Sequence, residues 1–256
     1  MHYLKYLLGA LITIPLLPIM YFQGKRVRAS VPPLPEATGR EGTAQVSEAE
    51  YGLRMLVVGE STMAGVGVST HDEGFAGSLA AELSEHLGQN IHWKVYARSG
   101  YTAKLVAERL VPKMEEKEVD LIIVGLGGND SFMLSTPWKW RRDITTLVTN
   151  LREKYPEVPI MFGSMPPTRE FAAFTPLIRW VLGNQSDMLG EHLAALVKTL
   201  PKVYFYHQVV TLAQWMKKFD IQADFYDFFS DGVHPSKLTY QVMARDMAQF
   251  VVSKLT

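Results

Sequence analysis

The chain has 256 residues, no cysteine, and 26 lysines plus arginines against 26 aspartates plus glutamates. That length holds one good-sized domain and an appendage, and the charge balance argues against the basic footprint of a nucleic-acid-binding protein. Without cysteine there are no disulfides, thiolate metal sites or cysteine nucleophiles. The seven histidines show no His-Glu-x-x-His spacing, so neither a metal nor any other cofactor is expected.

The amino terminus reads as a separate object. Residues 6–22, YLLGALITIPLLPIMYF, carry no charge, and their number sits at the short end of the roughly 17–25 needed to span a bilayer. Pro15 and Pro18 would kink such a helix, which membrane helices tolerate. Tyr21 and Phe22, followed by Lys25, Arg26 and Arg28, read as interfacial anchors. A cleaved signal peptide should end in a small-x-small site, and a core helix should have a polar face; neither is present. Residues 1–29 are therefore expected to form an uncleaved membrane anchor. Its positive flank lies mostly after the apolar run, which tilts the rest of the chain toward the cytoplasmic face. Residues 30–50, SVPPLPEATGREGTAQVSEAE, read as a linker, with the folded domain over 51–256.

Within that domain, the short apolar run 53–58 ends at a glycine and reads as a buried strand. Phe75, Leu79, Leu83 and Leu87 recur every four residues, giving a helix over 74–87 closed by Gly88. Residues 91–96 alternate as a second strand, and 102–116 read as a helix. The almost wholly apolar 119–124 suits the centre of a parallel sheet covered on both faces. A helix over 137–154 starts at Pro137, and strands follow at 158–162 and 203–206. Helices fill much of 175–199, 208–219 and 237–254. Alternating strands and helices predict a three-layer α/β/α domain with about five parallel strands, flavodoxin-like, whose ligand site lies beyond the carboxyl ends of the strands.

Polar, glycine-containing breaks follow these strands: Gly59-Glu60-Ser61-Thr62, Ala97-Arg98-Ser99-Gly100-Tyr101, Gly125-Leu126-Gly127-Gly128-Asn129-Asp130 and, near the end, Asp231-Gly232-Val233-His234-Pro235. Together they offer a hydroxyl, an imidazole with an acid nearby, and donors for an oxyanion, which is what acyl transfer requires. Glycine-based alternatives fail on inspection. Residues 59–67 lack the Gly-Lys-Ser/Thr of a phosphate loop, Gly65-x-Gly67 lacks the third glycine of a dinucleotide fingerprint, and Met63 stands where a nucleophile elbow needs glycine. His234 alone among the histidines has an acid, Asp231, three positions before it. Singly, each feature has a plain structural reading: Ser61 as a turn former, His234 in a turn capping the last helix, Asn129 in an Asn-Asp turn.

In chain order the four pieces resemble the blocks of the SGNH (GDSL-like) hydrolases, over roughly residues 55–243. The resemblance implies Ser61 as nucleophile, His234 as general base supported by Asp231, and an oxyanion hole of Ser61 N–H, Gly100 N–H and the Asn129 side chain. The first block is usually Gly-Asp-Ser, so Glu60 departs from it by one methylene. The implied activity is hydrolysis of carboxylic esters or thioesters. Phe171, Phe174, Leu177, Ile178, Trp180 and Val181 read either as helix core or as an acyl-binding or bilayer-facing wall. A lipid or lysophospholipid ester is the first substrate expected, and envelope polysaccharide or small acetyl esters the second. A non-catalytic binding protein on the same scaffold and an acyltransferase stay open as alternatives.

Overall fold

The computed structural model describes residues 2–46, 52–208 and 211–255. Helix α1 (His2–Ser30) runs without interruption through Pro15 and Pro18, so the prolines expected to kink it do not end it. It lies against the folded domain: Thr175 Oγ1 donates to Gln23 Oε1 at 2.6 Å, and the Tyr6 ring meets Trp138 edge-on at 5.3 Å. The opposite face, including Leu7, Leu11 and Phe22, is exposed.

A six-stranded sheet forms the centre, in the order β1-β3-β2-β4-β5-β6. Strands β2 (Gly52–Gly59), β3 (Asn90–Ala97), β4 (Leu121–Gly125), β5 (Ile160–Phe162) and β6 (Val203–Phe205) are parallel. These five reproduce the flavodoxin-like order 2-1-3-4-5 when counted alone. The strand β1 (Glu41–Ala44) is a correction to the expected linker: it pairs antiparallel with β3, Glu41 opposite Lys94 and Ala44 opposite Ile91. Upstream of it, Ala37 is buried and its N–H donates to the Ala64 carbonyl at 3.0 Å. The stretch assigned to linker therefore supplies an edge strand and a buried contact. Residues 47–51, where the linker was expected to meet the domain, lie outside the described residues.

Two apolar layers sandwich the sheet. On one side α3 (Ala103–Arg109), α5 (Pro137–Lys154) and α6 (Pro176–Val197) bury Val106, Ile144, Leu147, Leu189 and Leu193 against Ile122 and Val124. On the other, α2 (Phe75–Leu87) and α8 (Lys237–Leu255) bury Leu79, Leu83, Tyr240 and Met247 against Val57, Leu121 and Ile123. Alternate residues of each central strand thus feed opposite layers, the period of two that a strand imposes. The helix expected over 102–116 stops at Arg109 and continues as a single tight turn, Val111–Lys113. Pro112 has no N–H to donate and its ring blocks the preceding turn. Helix α7 (Leu212–Phe219) starts at a Thr211–Gln214 capping box, which satisfies two of its free donors.

Candidate active site

The sheet order makes β2 the switch strand, because its neighbours β3 and β4 lie on opposite sides. A crevice opens at such a point beyond the carboxyl ends. Ser61 lies two residues past the end of β2, Gly100 three past β3, and Asn129 in the first turn of α4 (Gly128–Phe132) after β4. The strand ends crowd together, for a Cβ on Gly59 would come 2.1 Å from the Gly125 carbonyl oxygen.

The carboxy-terminal loop reaches the same rim. Ser230 Oγ donates to the Gly67 carbonyl at 3.0 Å and to Pro235 O at 2.9 Å. Tyr240 OH donates to Val66 O at 2.8 Å. Gly67 has φ +109°, and a Cβ there would lie 2.3 Å from Pro235 O. The loop that follows Ser61 and the loop that carries His234 are therefore in direct contact. His234 Nδ1 lies 2.7 Å from Asp231 Oδ2, while Asp231 Oδ1 accepts the backbone N–H of Val233 and of His234 at 2.9 and 2.7 Å. Burial alone would push the Asp231 carboxyl up, but bonds from the His234 ring and from these N–H groups outweigh it and hold it below the usual range. Nδ1 is thus occupied, and among the described residues Nε2 has no hydrogen-bond partner. Among the described residues no hydrogen bond joins His234 to Ser61 Oγ; apo sites commonly tighten only when substrate arrives.

Glu60 is buried beneath the loop. Its carboxylate accepts Gly128 N–H at 2.7 Å, Asn129 N–H at 2.8 Å and Asn129 Nδ2 at 2.5 Å. Burial drives its pKa up to about 7, against the pull of the Asn129 and Gly128 N–H groups and with a further push from the Asp130 charge. The second hydrogen of Asn129 Nδ2 goes to the Tyr101 carbonyl at 3.1 Å. A carboxamide has two N–H bonds, and here both are spoken for. The expected oxyanion donor at Asn129 therefore has to exchange one of these acceptors before it can bind a substrate oxygen. Ser61 N–H and Gly100 N–H, by contrast, have no protein acceptor among the described residues. Gly100 holds φ +80° with open space where a Cβ would stand.

Residues 57–242 match the model of the GDSL-like Lipase/Acylhydrolase family. The chain belongs to this family. Solved structures similar to it include a GDSL-like lipase from Bacteroides ovatus, 22% identical with TM-score 0.56, the match covering 81% of this chain and 55% of that one. A family 3 carbohydrate esterase from Clostridium thermocellum is 18% identical over 78% of this chain and 98% of its own, with TM-score 0.55. TesA is 19% identical over 78% and 99%, with TM-score 0.56. The chain spans about half the length of the Bacteroides protein. No curated protein matches it by sequence.

Next to the GDSL-family loops lies an apolar cavity of about 80 Å3, beyond the ends of β4 and β5. Met63, Met165, Phe171, Trp215, Phe229 and Met243 line it. Glu60, Thr62, Val233 and Pro235, chain neighbours of Ser61 and His234, also border it. Of the side chains read as core or acyl wall, Phe171, Ile178 and Val181 are buried, and Trp180 is exposed. Phe171 also belongs to a cluster of rings with Phe132, Phe174 and Phe229, contacting centroids 5.3–6.4 Å apart. The clamp residues Ser230 and Tyr240 carried no sequence signal of their own, since a lone serine or tyrosine has many structural uses.

Proposed function

We propose that this GDSL-family hydrolase is a serine esterase in which Ser61 attacks the substrate carbonyl and His234 is its base. The observation that supports this best is the Asp231–His234 pair on a loop bonded directly to the loop of Ser61. With Nδ1 bonded to Asp231, His234 keeps Nε2 available. Nε2 takes the proton from Ser61 Oγ as Oγ bonds to the carbonyl carbon and the carbonyl π pair moves to oxygen. Asp231 fixes the tautomer and favours the imidazolium. The oxyanion faces the N–H groups of Ser61 and Gly100, joined by Asn129 Nδ2 once its bond to Tyr101 is exchanged. His234 then protonates the departing alcohol oxygen. Water, deprotonated by the same imidazole, cleaves the acyl-enzyme.

The cavity supports an apolar acyl group on the substrate. Its volume is about half that of a roughly 150 Å3 cavity that accepts benzene, so it suits a chain of a few carbons, with longer chains continuing over the phenylalanine cluster. A lipid or lysophospholipid ester fits that arrangement. Small acetyl esters are the second reading, favoured by the modest enclosed space. We assign α1 as a membrane anchor, on its candidate span Tyr6–Ser30, in which an 18-residue window has mean hydropathy 1.6, and the basic flank at Lys25, Arg26 and Arg28 supports a cytoplasmic placement of the domain.

The deciding experiment is labelling with a fluorophosphonate probe together with nitrophenyl ester turnover. Ser61→Ala should fold like the parent, lose labelling and lose hydrolysis. Retained turnover in that variant excludes Ser61 as nucleophile, and an unlabelled, inactive parent favours a binding protein. An acetyl, butyryl and long-chain ester series ranks the substrates, and a steep preference for acetyl rejects the lipid reading.

A further inference from the structure

We propose that Glu36, upstream of the catalytic domain's parallel sheet, is a positioning residue for the oxyanion donor at Gly100. The inference rests on the serine-esterase reading above. Glu36 Oε1 accepts the backbone N–H of Ser99 at 2.8 Å. Its other oxygen accepts Arg40 Nη2 at 2.9 Å and Arg98 Nη1 at 3.2 Å. Arg40 in turn donates through Nη1 to the Ala97 carbonyl at 3.2 Å. One carboxylate and one guanidinium from the segment between α1 and β1 therefore hold residues 97, 98 and 99 in succession. Tyr101 N–H closes the turn on the Arg98 carbonyl at 3.3 Å.

What these bonds surround is the Ser99–Gly100 peptide, whose N–H has no protein acceptor among the described residues. Gly100 sits at φ +80° with nothing packed where a side chain would be, so its own contacts do little to hold that orientation. Glycine explores both signs of φ readily, and an oxyanion donor is useful only when fixed before the charge develops. The Glu36–Ser99 bond supplies the missing restraint one residue upstream. Its carboxylate is largely shielded, with 16% of the side chain exposed, and is paired with two arginines. The same segment is bonded to the nucleophile's loop through Ala37 N–H to Ala64 O and Thr38 N–H to Ser69 O, both 3.0 Å. It thus sets the Ser61 and Gly100 donors relative to each other.

The test uses the full chain in detergent, with a short-chain nitrophenyl ester and a boronic acid that forms a tetrahedral adduct on the serine. Glu36→Ala should lower kcat by roughly 10- to 100-fold, since full loss of an oxyanion donor costs about 100- to 1,000-fold. KM should stay within about twofold, and boronate affinity should fall in step with kcat/KM. Glu36→Gln, which keeps an oxygen for Ser99 N–H, should recover most of the loss. Turnover equal to the parent overturns the proposal. So does a loss of kcat with boronate affinity unchanged, which a role only in stability would give. If the alanine variant does not fold, Glu36→Asp, whose carboxylate is drawn back from Ser99, is read by the same criteria. A parent that neither hydrolyses esters nor takes a fluorophosphonate overturns the esterase reading and this inference with it.

Discussion

The Glu60 carboxylate accepts both the backbone and the side-chain N–H of Asn129, at 2.8 and 2.5 Å, from full burial under the loop of Ser61. It ties the end of β2 to the first turn after β4, so the serine and the asparagine share one support. Removing it takes the acceptor from the buried Gly128 N–H and from the two half-buried Asn129 donors, a fully buried one costing roughly 1–3 kcal/mol. Glu60→Ala should destabilise the fold by about 2–4 kcal/mol and reduce ester turnover by at least about 100-fold. Glu60→Asp keeps the charge but withdraws it by about one bond from Asn129 Nδ2, and turnover should stay within about tenfold of the parent. Denaturation curves and steady-state kinetics check both.

The same carboxyl makes stability depend on pH. Its folded pKa is raised from 4.5 to about 7, so between those values the native state binds a proton that the unfolded chain releases. Its contribution is fully present below about 4.5 and is lost as pH rises through about 7. Unfolding free energy should therefore drop between pH 5 and pH 8 by a few kcal/mol more in the parent than in Glu60→Gln, which has no proton to lose. Identical pH slopes in the two proteins would count against the buried carboxyl as their source.

The loops of Ser61 and His234 meet through the Ser230 hydroxyl, beside the Tyr240 bond to Val66 O. Ser230 Oγ lies within donating distance of both the Gly67 and Pro235 carbonyl oxygens, which share its one proton. Ser230→Ala should lower stability by only about 1 kcal/mol and lower kcat by about tenfold or more as the His234 loop loosens against Ser61. A kcat unchanged from the parent means that Tyr240 and the backbone suffice.

Where the domain begins can be tested by truncation. A chain starting at Val31 keeps β1 and Glu36 and should unfold cooperatively, near the melting temperature of the parent. A chain starting at Gly52 loses β1, which covers the edge of β3, along with the contact of Gly42 on Trp93. A loss of about 3 kcal/mol corresponds to roughly 6–12 °C in Tm at this size. Equal melting of the two chains would restore residues 30–50 to linker.

The parallel strands were legible because each is an apolar run ended by glycine or polar residues, and the candidate site could be proposed because its pieces follow those strand ends. Strand β1 was not legible: Glu41-Gly42-Thr43-Ala44 has no alternating apolar pattern, its residues are only exposed or half-buried, and it is held by backbone pairing to β3. The occupied state of the Asn129 amide also left no trace in sequence. It depends on how far the longer Glu60 side chain reaches and on where the Tyr101 carbonyl points. Glu36 was invisible for a similar reason, since its value lies in a contact across 63 positions of chain.

From Ser30, the last residue of α1, to Glu36 the chain has only residues 31–36 to spend, a reach of at most about 20 Å even if fully extended. Were α1 to act as the proposed anchor, so short a connection, with the contacts of Tyr6 and Gln23 on the domain, would hold that domain close against the lipid. A domain held there would sample its surroundings in two dimensions, so that for a lipid-borne ester surface density rather than bulk concentration would set the rate.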